Sequence, residues 1–200
     1  MAALVSFTAF AFAGGDQNQN RHDGELGQGP TYQEQIDNPN QDVLKVRQLS
    51  DEQKEIIYEI YEEEKLARDV YKTLGEIYPE ENTFANIQLS EQVHMDAVKK
   101  LCDKHDIEII VSDETGNFTI KELQEFFISV YDKFVTYKEG SLLEALEVGR
   151  EIELMDIEDL TEALKTDMPI DVQRVFNNLM IGSGHHLDAF TSAITRETAQ

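Results

Sequence analysis

Side chains able to hold a cation fall at positions where helix-forming segments of this chain should be apolar. Glu64 interrupts the run Ile57, Ile60, Ala67, Tyr71, Leu74, Tyr78, and Glu91 with His94 interrupts Phe84, Ile87, Val98, Leu101. Glu153 and Asp156 interrupt Leu142, Leu146, Gly149, Leu160, and Ser183 with His186 interrupts Val172, Phe176, Leu179, Phe190. Each run alternates steps of three and four, the spacing that lines one face of a helix. A carboxylate alone on such a face is costly to bury, and several at one level repel each other. The set becomes reasonable when cations sit among its members. Carboxylate oxygen with imidazole nitrogen suits iron, manganese or zinc. The carboxylates of Glu64, Glu91, Glu153 and Asp156 would neutralise two divalent ions, with His94 and His186 as nitrogen ligands.

Each residue also has an ordinary reading. Glu64 belongs to the acidic run Glu62, Glu63, Glu64, and only its phase with Ile57 and Tyr71 turns it inward. Glu91 and His94 could be a buried hydrogen-bonded pair. Glu151 competes with Glu153, at poorer phase. Asp156 would instead cap the segment Ile157 to Leu164 if the helix broke there. Tyr71 reads equally as a hydrogen-bond donor to a ligand or as a core aromatic, and Ser183 joins it as a candidate outer partner of the ligands. His185, beside His186, is a third such candidate, although a neighbouring helix or solvent is its simpler destination. His105 reads as a surface residue at a helix end, and Arg68 and Asp69 read as surface residues by default, with pairing to bundle or crossover carboxylates as their alternative.

The elements that must position these residues follow from their boundaries. Ser50 with Gln53 forms a capping box for a first helix that Pro79 stops. Asn82 or Thr83 opens a second helix running to about His105. Ile107 to Val111 then meets the turn-forming cluster Ser112 to Asn117, and a small hairpin with Phe118 is one outcome. Thr119 with Glu122 reads as a capping box for a short helix to about Tyr137, and Gly140 breaks it. Ser141 with Glu144 caps a third core helix reaching about Lys165, and Pro169 lies in the first turn of a fourth that ends near Ile194. The first two helices are joined tightly, as are the last two, whereas roughly 35 residues separate the pairs, far beyond an ordinary helix–helix link. The expected fold is all-α: two helical hairpins in a four-helix bundle, with a long crossover carrying an extra short helix, which is the ferritin-like arrangement.

The bulk composition narrows the partners. Forty Asp and Glu against 17 Lys and Arg leave a formal charge of -23, which disfavours nucleic acid and anionic membrane surfaces. A solvated acidic surface is the plain explanation of that charge, and a cation-handling role is compatible with it. Cys102 is the single cysteine, so neither an internal disulfide nor a thiolate cluster can form, and it reads as a small apolar filler. No apolar run is long enough for stable membrane insertion.

The N-terminus divides from the rest. Residues 1–13 are apolar and end in Ala11-Phe12-Ala13 before Gly14-Gly15, like a signal-peptidase site, but no Lys or Arg precedes them. Two readings stay open: a leader of an extracytoplasmic protein, or the apolar N-terminus of a cytoplasmic one. Residues 14–49, rich in Gly, Asn, Gln and Asp, read as a flexible linker. The bundle is expected over 50–195, with a tail at 196–200.

The segments EEKLARDVY, EQVHMDAV, IELMDIEDL and SGHHLDAF resemble a ferritin-like family catalogued as domain of unknown function 2202, from about Leu49 to Ile194. Glu91-Gln92-Val93-His94 is similar to the Glu-x-x-His motif of the ferritin-like di-iron proteins, and Glu64 with Tyr71 to the first helix of ferritins and rubrerythrins. The resemblance implies a non-haem dinuclear centre, di-iron first, with oxidase, peroxidase or ferroxidase-type chemistry on O2 or H2O2. The rubrerythrin iron–sulfur module is absent, since there is no Cys-rich segment. One departure stands out: the fourth helix offers Ser183-Gly184-His185-His186 where Glu-x-x-His is expected, and Asp156 would supply the missing carboxylate. A bundle that binds or sequesters metal without turnover is the alternative, and a polar layer that only fixes helix register is a third reading. Homo-oligomerisation stays open.

Overall fold

The computed structural model describes residues 48–199, so the expected leader and nearly all of the expected linker lie outside the described residues. Helix α1 (Asp51–Ile77) opens on the Ser50 box: Ser50 Oγ accepts the Gln53 N–H at 3.2 Å, and Gln53 Oε1 accepts the Ser50 N–H at 2.9 Å. It stops one residue before the Tyr78–Pro79 pair, where proline disfavours the helical conformation. Helix α2 (Asn82–Lys104) is capped by Glu81, whose carboxylate accepts the Thr83 N–H at 3.0 Å. Helix α3 (Lys121–Tyr131) runs on into a π-helical segment, Asp132–Thr136. Helix α4 (Leu142–Ala163) carries the expected Ser141–Glu144 box and is unbroken at Asp156. Helix α5 (Ile170–Thr198) follows Pro169 and continues past Ile194, so the expected tail is largely helical.

All regular elements among the described residues are helices. The expected hairpin at Phe118 is therefore absent. The expected Thr119–Glu122 box does not form either, because Thr119 is used elsewhere. Its N–H and hydroxyl both donate to the Glu62 carboxylate, which also accepts the Ile120 N–H at 3.2 Å. A side chain of α1 thus satisfies backbone donors at the start of α3, where no side chain of α3 does so.

The long helices pack pairwise: α1 on α2, α4 on α5, α1 on α4, and α2 on α5. Every one of these pairs is antiparallel. Gly75 meets Phe84 while Glu64 meets His94 between α1 and α2. Gly149 meets Phe190 while Asp156 meets Ser183 between α4 and α5. Between α1 and α4, Tyr71 bonds Gly149 near one end, and Gln53, at the start of α1, bonds the Asp167 carbonyl just past the end of α4. Between α2 and α5, Ser90 bonds His186, and His105, at the end of α2, bonds Asp171.

The apolar core is divided in two. One cluster includes Leu66, Tyr71, Phe84, Leu146 and Phe190. The other includes Ile57, Val98, Leu160, Phe176 and Leu179. Glu64, Glu91, Glu153, Ser183 and His186 are buried in the layer between them.

The segment between α2 and α4 is tied down by charges whose default reading was the surface. Arg68, Asp69 and His105 are all buried, which corrects their sequence reading. Asp69 accepts from Lys65 Nζ at 2.7 Å, Arg68 Nε at 2.9 Å and the Gly116 N–H at 3.0 Å. Lys65 also donates to the Glu114 carbonyl at 2.9 Å and lies 4.4 Å from the Phe118 ring centroid. Gly116 has φ of 83°, and a Cβ there would stand 2.5 Å from the Phe127 ring, so glycine is required on both counts. Removing one partner of a buried ion pair leaves the other uncompensated, at a cost of about 3–5 kcal/mol. Asp69→Ala should lose stability on that scale in urea unfolding, and a loss below about 1 kcal/mol would show that Lys65 and Arg68 simply re-pair.

Candidate metal centre

Four helices each deliver part of the polar layer. The carboxylates Glu64 (α1), Glu91 (α2) and Glu153 (α4) are 2%, 1% and 2% exposed. His94 Nδ1 lies 2.8 Å from Glu91 Oε2 and 3.1 Å from Glu64 Oε2. His186 Nδ1 lies 2.8 Å from Glu91 Oε1 and 3.4 Å from Glu153 Oε2. Glu91 therefore turns one oxygen to each imidazole. The two rings stack with centroids 5.3 Å apart. Glu91, His94 and His186 offer ligand atoms within 4.8 Å of one another, a cluster that could hold a metal ion.

The surroundings orient these groups. The Tyr71 hydroxyl is 2.7 Å from Glu153 Oε1 and 3.2 Å from the Gly149 carbonyl. Glycine at 149 admits the Phe190 ring, which a Cβ would approach to 2.4 Å. His186 Nε2 is 2.8 Å from Ser90 Oγ. Ser183 Oγ is hydrogen-bonded to Asp156 Oδ2 and lies 3.0 Å from the Leu179 carbonyl. A hydroxyl has one proton to give. An ionised Asp156 and the carbonyl would compete for it, whereas a protonated Asp156 can donate to Ser183 and leave both contacts satisfied.

Several atoms of the layer are shut off from water without a hydrogen-bond partner: Glu64 Oε1, Glu91 Oε1, Asp156 Oδ1 and His186 Nδ1. Glu91 Oε1 and His186 Nδ1 are close, yet their angles suit no hydrogen bond. Buried polar atoms are rarely left so in native proteins. The electrostatics carry the same strain. Burial raises the carboxyl groups of Glu64 and Glu153 above the ordinary range. It lifts Asp156 to about 7 against the hydrogen bond with Ser183. Burial would raise Glu91 too, but the imidazoles of His186 and His94 outweigh it and lower the group. Burial lowers both histidines, yet Glu64 and Glu91 raise His94 to about 11, and Glu153 and Glu91 raise His186 to about 9. Without a cation the layer is balanced by protons.

The structure thus brings together Glu64, Glu91, His94, Glu153 and His186, and sets Asp156 beside Ser183 at the edge of the group. Tyr71 contacts the layer directly through Glu153. His185 is exposed on α5 and is not brought in. Ser90 and Gly182, which touch His186 and His94, were not singled out by the sequence. Ser90 lies off the apolar run of α2 and left no signal. Gly182 did leave one, a glycine inside a helix, which costs about 1 kcal/mol relative to alanine.

Fold and site together define an all-helical protein with a buried Glu/His cluster that could hold a metal ion. The chain belongs to the family described as uncharacterized protein domain (DUF2202), matched over residues 52–200. It is 42% identical over 143 residues to uncharacterized protein MJ0754 of Methanocaldococcus jannaschii, covering 71% of this chain and 75% of that protein. The crystal structure of hypothetical protein MJ0754 from Methanococcus jannaschii DSM 2661 is similar with a TM-score of 0.71 at 38% identity, covering 78% of this chain and 86% of that one.

The protons of the layer set a pH dependence. His94 and His186 bind protons more tightly folded than unfolded, so their stabilisation is full below about pH 6.5 and is lost as pH rises through about 9 and about 11. Asp156, raised to about 7, contributes with the same sign, its stabilisation fading from the ordinary carboxylate range up to about 7. Glu91 has the opposite sign, but its loss falls below the ordinary carboxylate range. Chelated protein should therefore melt lower at pH 9 than at pH 6. A melting temperature flat or rising over that interval would contradict the proton-balanced layer.

Proposed function

We propose that this chain is a ferritin-like four-helix bundle whose polar layer holds two divalent metal ions, iron foremost with manganese and zinc as the other candidates. On this reading it serves oxidase, peroxidase or ferroxidase-type chemistry with O2 or H2O2. The observation that carries it is the placement of Glu91, one oxygen to each imidazole, which suits a carboxylate shared by two ions. Glu64 with His94 would complete one position, and Glu153 with His186 the other. Asp156 would be the fourth carboxylate, replacing its contact with Ser183. The unpartnered oxygens and nitrogen of the layer are the atoms such ions would engage, and their oxygen-plus-imidazole chemistry fits iron. Four carboxylates against two divalent ions leave the layer neutral, so the protons that balance it now would be released on binding.

A pair of ferrous ions would supply the electrons for reducing O2 or H2O2. The remaining work falls to the chain. The two apolar clusters exclude water on either side of the layer, which strengthens every charge interaction inside it. Tyr71 holds one oxygen of Glu153 and leaves the other facing His186.

One observation favours a second reading, metal binding or sequestration without turnover. The His94 and His186 side chains are only 11% and 10% exposed, so the layer is largely closed to any substrate bulkier than O2 or H2O2.

Full-length protein loaded anaerobically with Fe(II) should retain about two ions per chain, and the double variant Glu91→Ala, His94→Ala should retain neither. Retention of iron by that variant, or none in the wild type, would refute the centre. With excess Fe(II) or an added electron donor present, sustained consumption of O2 or H2O2 beyond the bound iron supports the enzyme reading, and a single stoichiometric oxidation supports sequestration. Undiminished iron in Asp156→Ala would remove Asp156 from the ligand set.

A further inference from the structure

We propose that the two halves of this centre are unequal: the half built on Glu91, Glu153 and His186 takes the first divalent ion because Ser90 anchors the far nitrogen of its imidazole, whereas the far nitrogen of the His94 imidazole is held by packing alone. The inference rests on the two-ion reading above and concerns the order in which the positions fill.

In the first half two of the three ligands, His186 and Glu153, have a second contact that fixes them. Ser90 Oγ lies 2.8 Å from His186 Nε2. A hydrogen bond to one ring nitrogen sets the tautomer and the ring plane, and so decides which nitrogen is presented to a metal. Here it presents Nδ1 to the carboxylates, 2.8 Å from Glu91 and 3.4 Å from Glu153. Ser90 directly precedes Glu91 on α2, so a single turn of helix supplies both the anchor and the shared carboxylate. Glu153 is fixed in turn by the Tyr71 hydroxyl at 2.7 Å.

The second half lacks these ties. His94 Nδ1 faces Glu64 and Glu91, but among the described residues nothing hydrogen-bonds its Nε2. That edge of the ring rests on α5 at Gly182, where a Cβ would stand 2.6 Å from Nε2 and 2.7 Å from Cε1. Glu64 Oε1 has no partner at all. Ligands that are already ordered lose less freedom when an ion arrives, so the anchored half binds first. Ser90 and Gly182 are positioning residues in this account, and neither touches an ion.

The test is an anaerobic titration of chelated full-length protein with Co(II), followed by calorimetry and visible absorption. The wild type should show two resolved steps. His94→Ala should keep the tighter one, and His186→Ala should lose it. Ser90→Ala should weaken the tighter step by about tenfold or more and leave the weaker unchanged, while Ser90→Thr, which keeps the hydroxyl, should restore it. Gly182→Ala should weaken only the looser step. Gly184→Ala, whose methyl meets nothing within 4 Å, should change neither and controls for α5. Melting curves of the apo variants separate lost binding from lost folding. Two equal steps, or a Ser90→Ala effect shared by both or confined to the weaker, would overturn the inference while leaving the metal reading intact. No Co(II) bound by the wild type would overturn both.

Discussion

The structure depends on placing ionisable groups where water cannot reach them. Glu64, Glu91 and Glu153 lie between two apolar clusters, and among the described residues none has a lysine or arginine paired with it. The cost of burying a bare carboxylate is too large to leave uncompensated in a fold whose net stability is about 5–15 kcal/mol. Something positive has to be present, either protons on the imidazoles and acids or metal ions in their place. That choice links the packing of four helices to one small group of atoms. Two of those helices carry glycine at the layer, Gly149 to admit Phe190 and Gly182 to admit His94, so the layer is built by close backbone approach as well as by its charged groups.

Helix α1 does more than supply Glu64. Glu62 satisfies the start of α3, Asp69 with Lys65 and Arg68 holds the loop ahead of it, and Tyr71 orients Glu153 on α4. These groups point in different directions around a single helix, so α1 has almost no solvent face from Leu66 to Tyr71. A helix buried on all sides is usually apolar all round. Here Glu62, Lys65, Arg68 and Asp69 are matched by partners in the segment between α2 and α4 or by one another, and that matching fixes where the segment lies.

Much of the layer was legible in the sequence because a charged residue inside a periodic apolar run is conspicuous. Glu64, Glu91, His94, Glu153 and His186 all meet where their phase placed them, and the Ser50 and Ser141 boxes begin their helices as expected. What was hidden depends on contacts between distant elements. Thr119 had the right neighbour for a capping box, but Glu62, far away in the chain, is the better acceptor and takes its donors. Lys65, Arg68 and Asp69 look like an ordinary solvated face until the crossover covers them. His105 looked terminal and exposed because Asp171, its partner, comes from the start of another helix. Ser90 sits off the apolar run, and no periodicity could mark it as the neighbour of His186.

The departure at Ser183 bears on how the layer keeps its charge. On the proposed two-ion reading, a carboxylate at that position would serve the ions from the α5 side, and serine cannot take that role. Asp156 stands against it instead, one turn beyond Glu153, so α4 contributes two carboxylates and α5 only His186. The charge of Asp156 on α4 adds to burial in raising the carboxyl of Glu64 on α1, while the His94 imidazole opposes it. Two like-charged carboxylates buried in one layer cannot both ionise cheaply. The pair therefore favours a proton in the apo state and gives it up only when a cation compensates both. Ser183 makes that exchange feasible, since a hydroxyl can accept from a protonated Asp156 and, when the acid ionises, turn to donate to it.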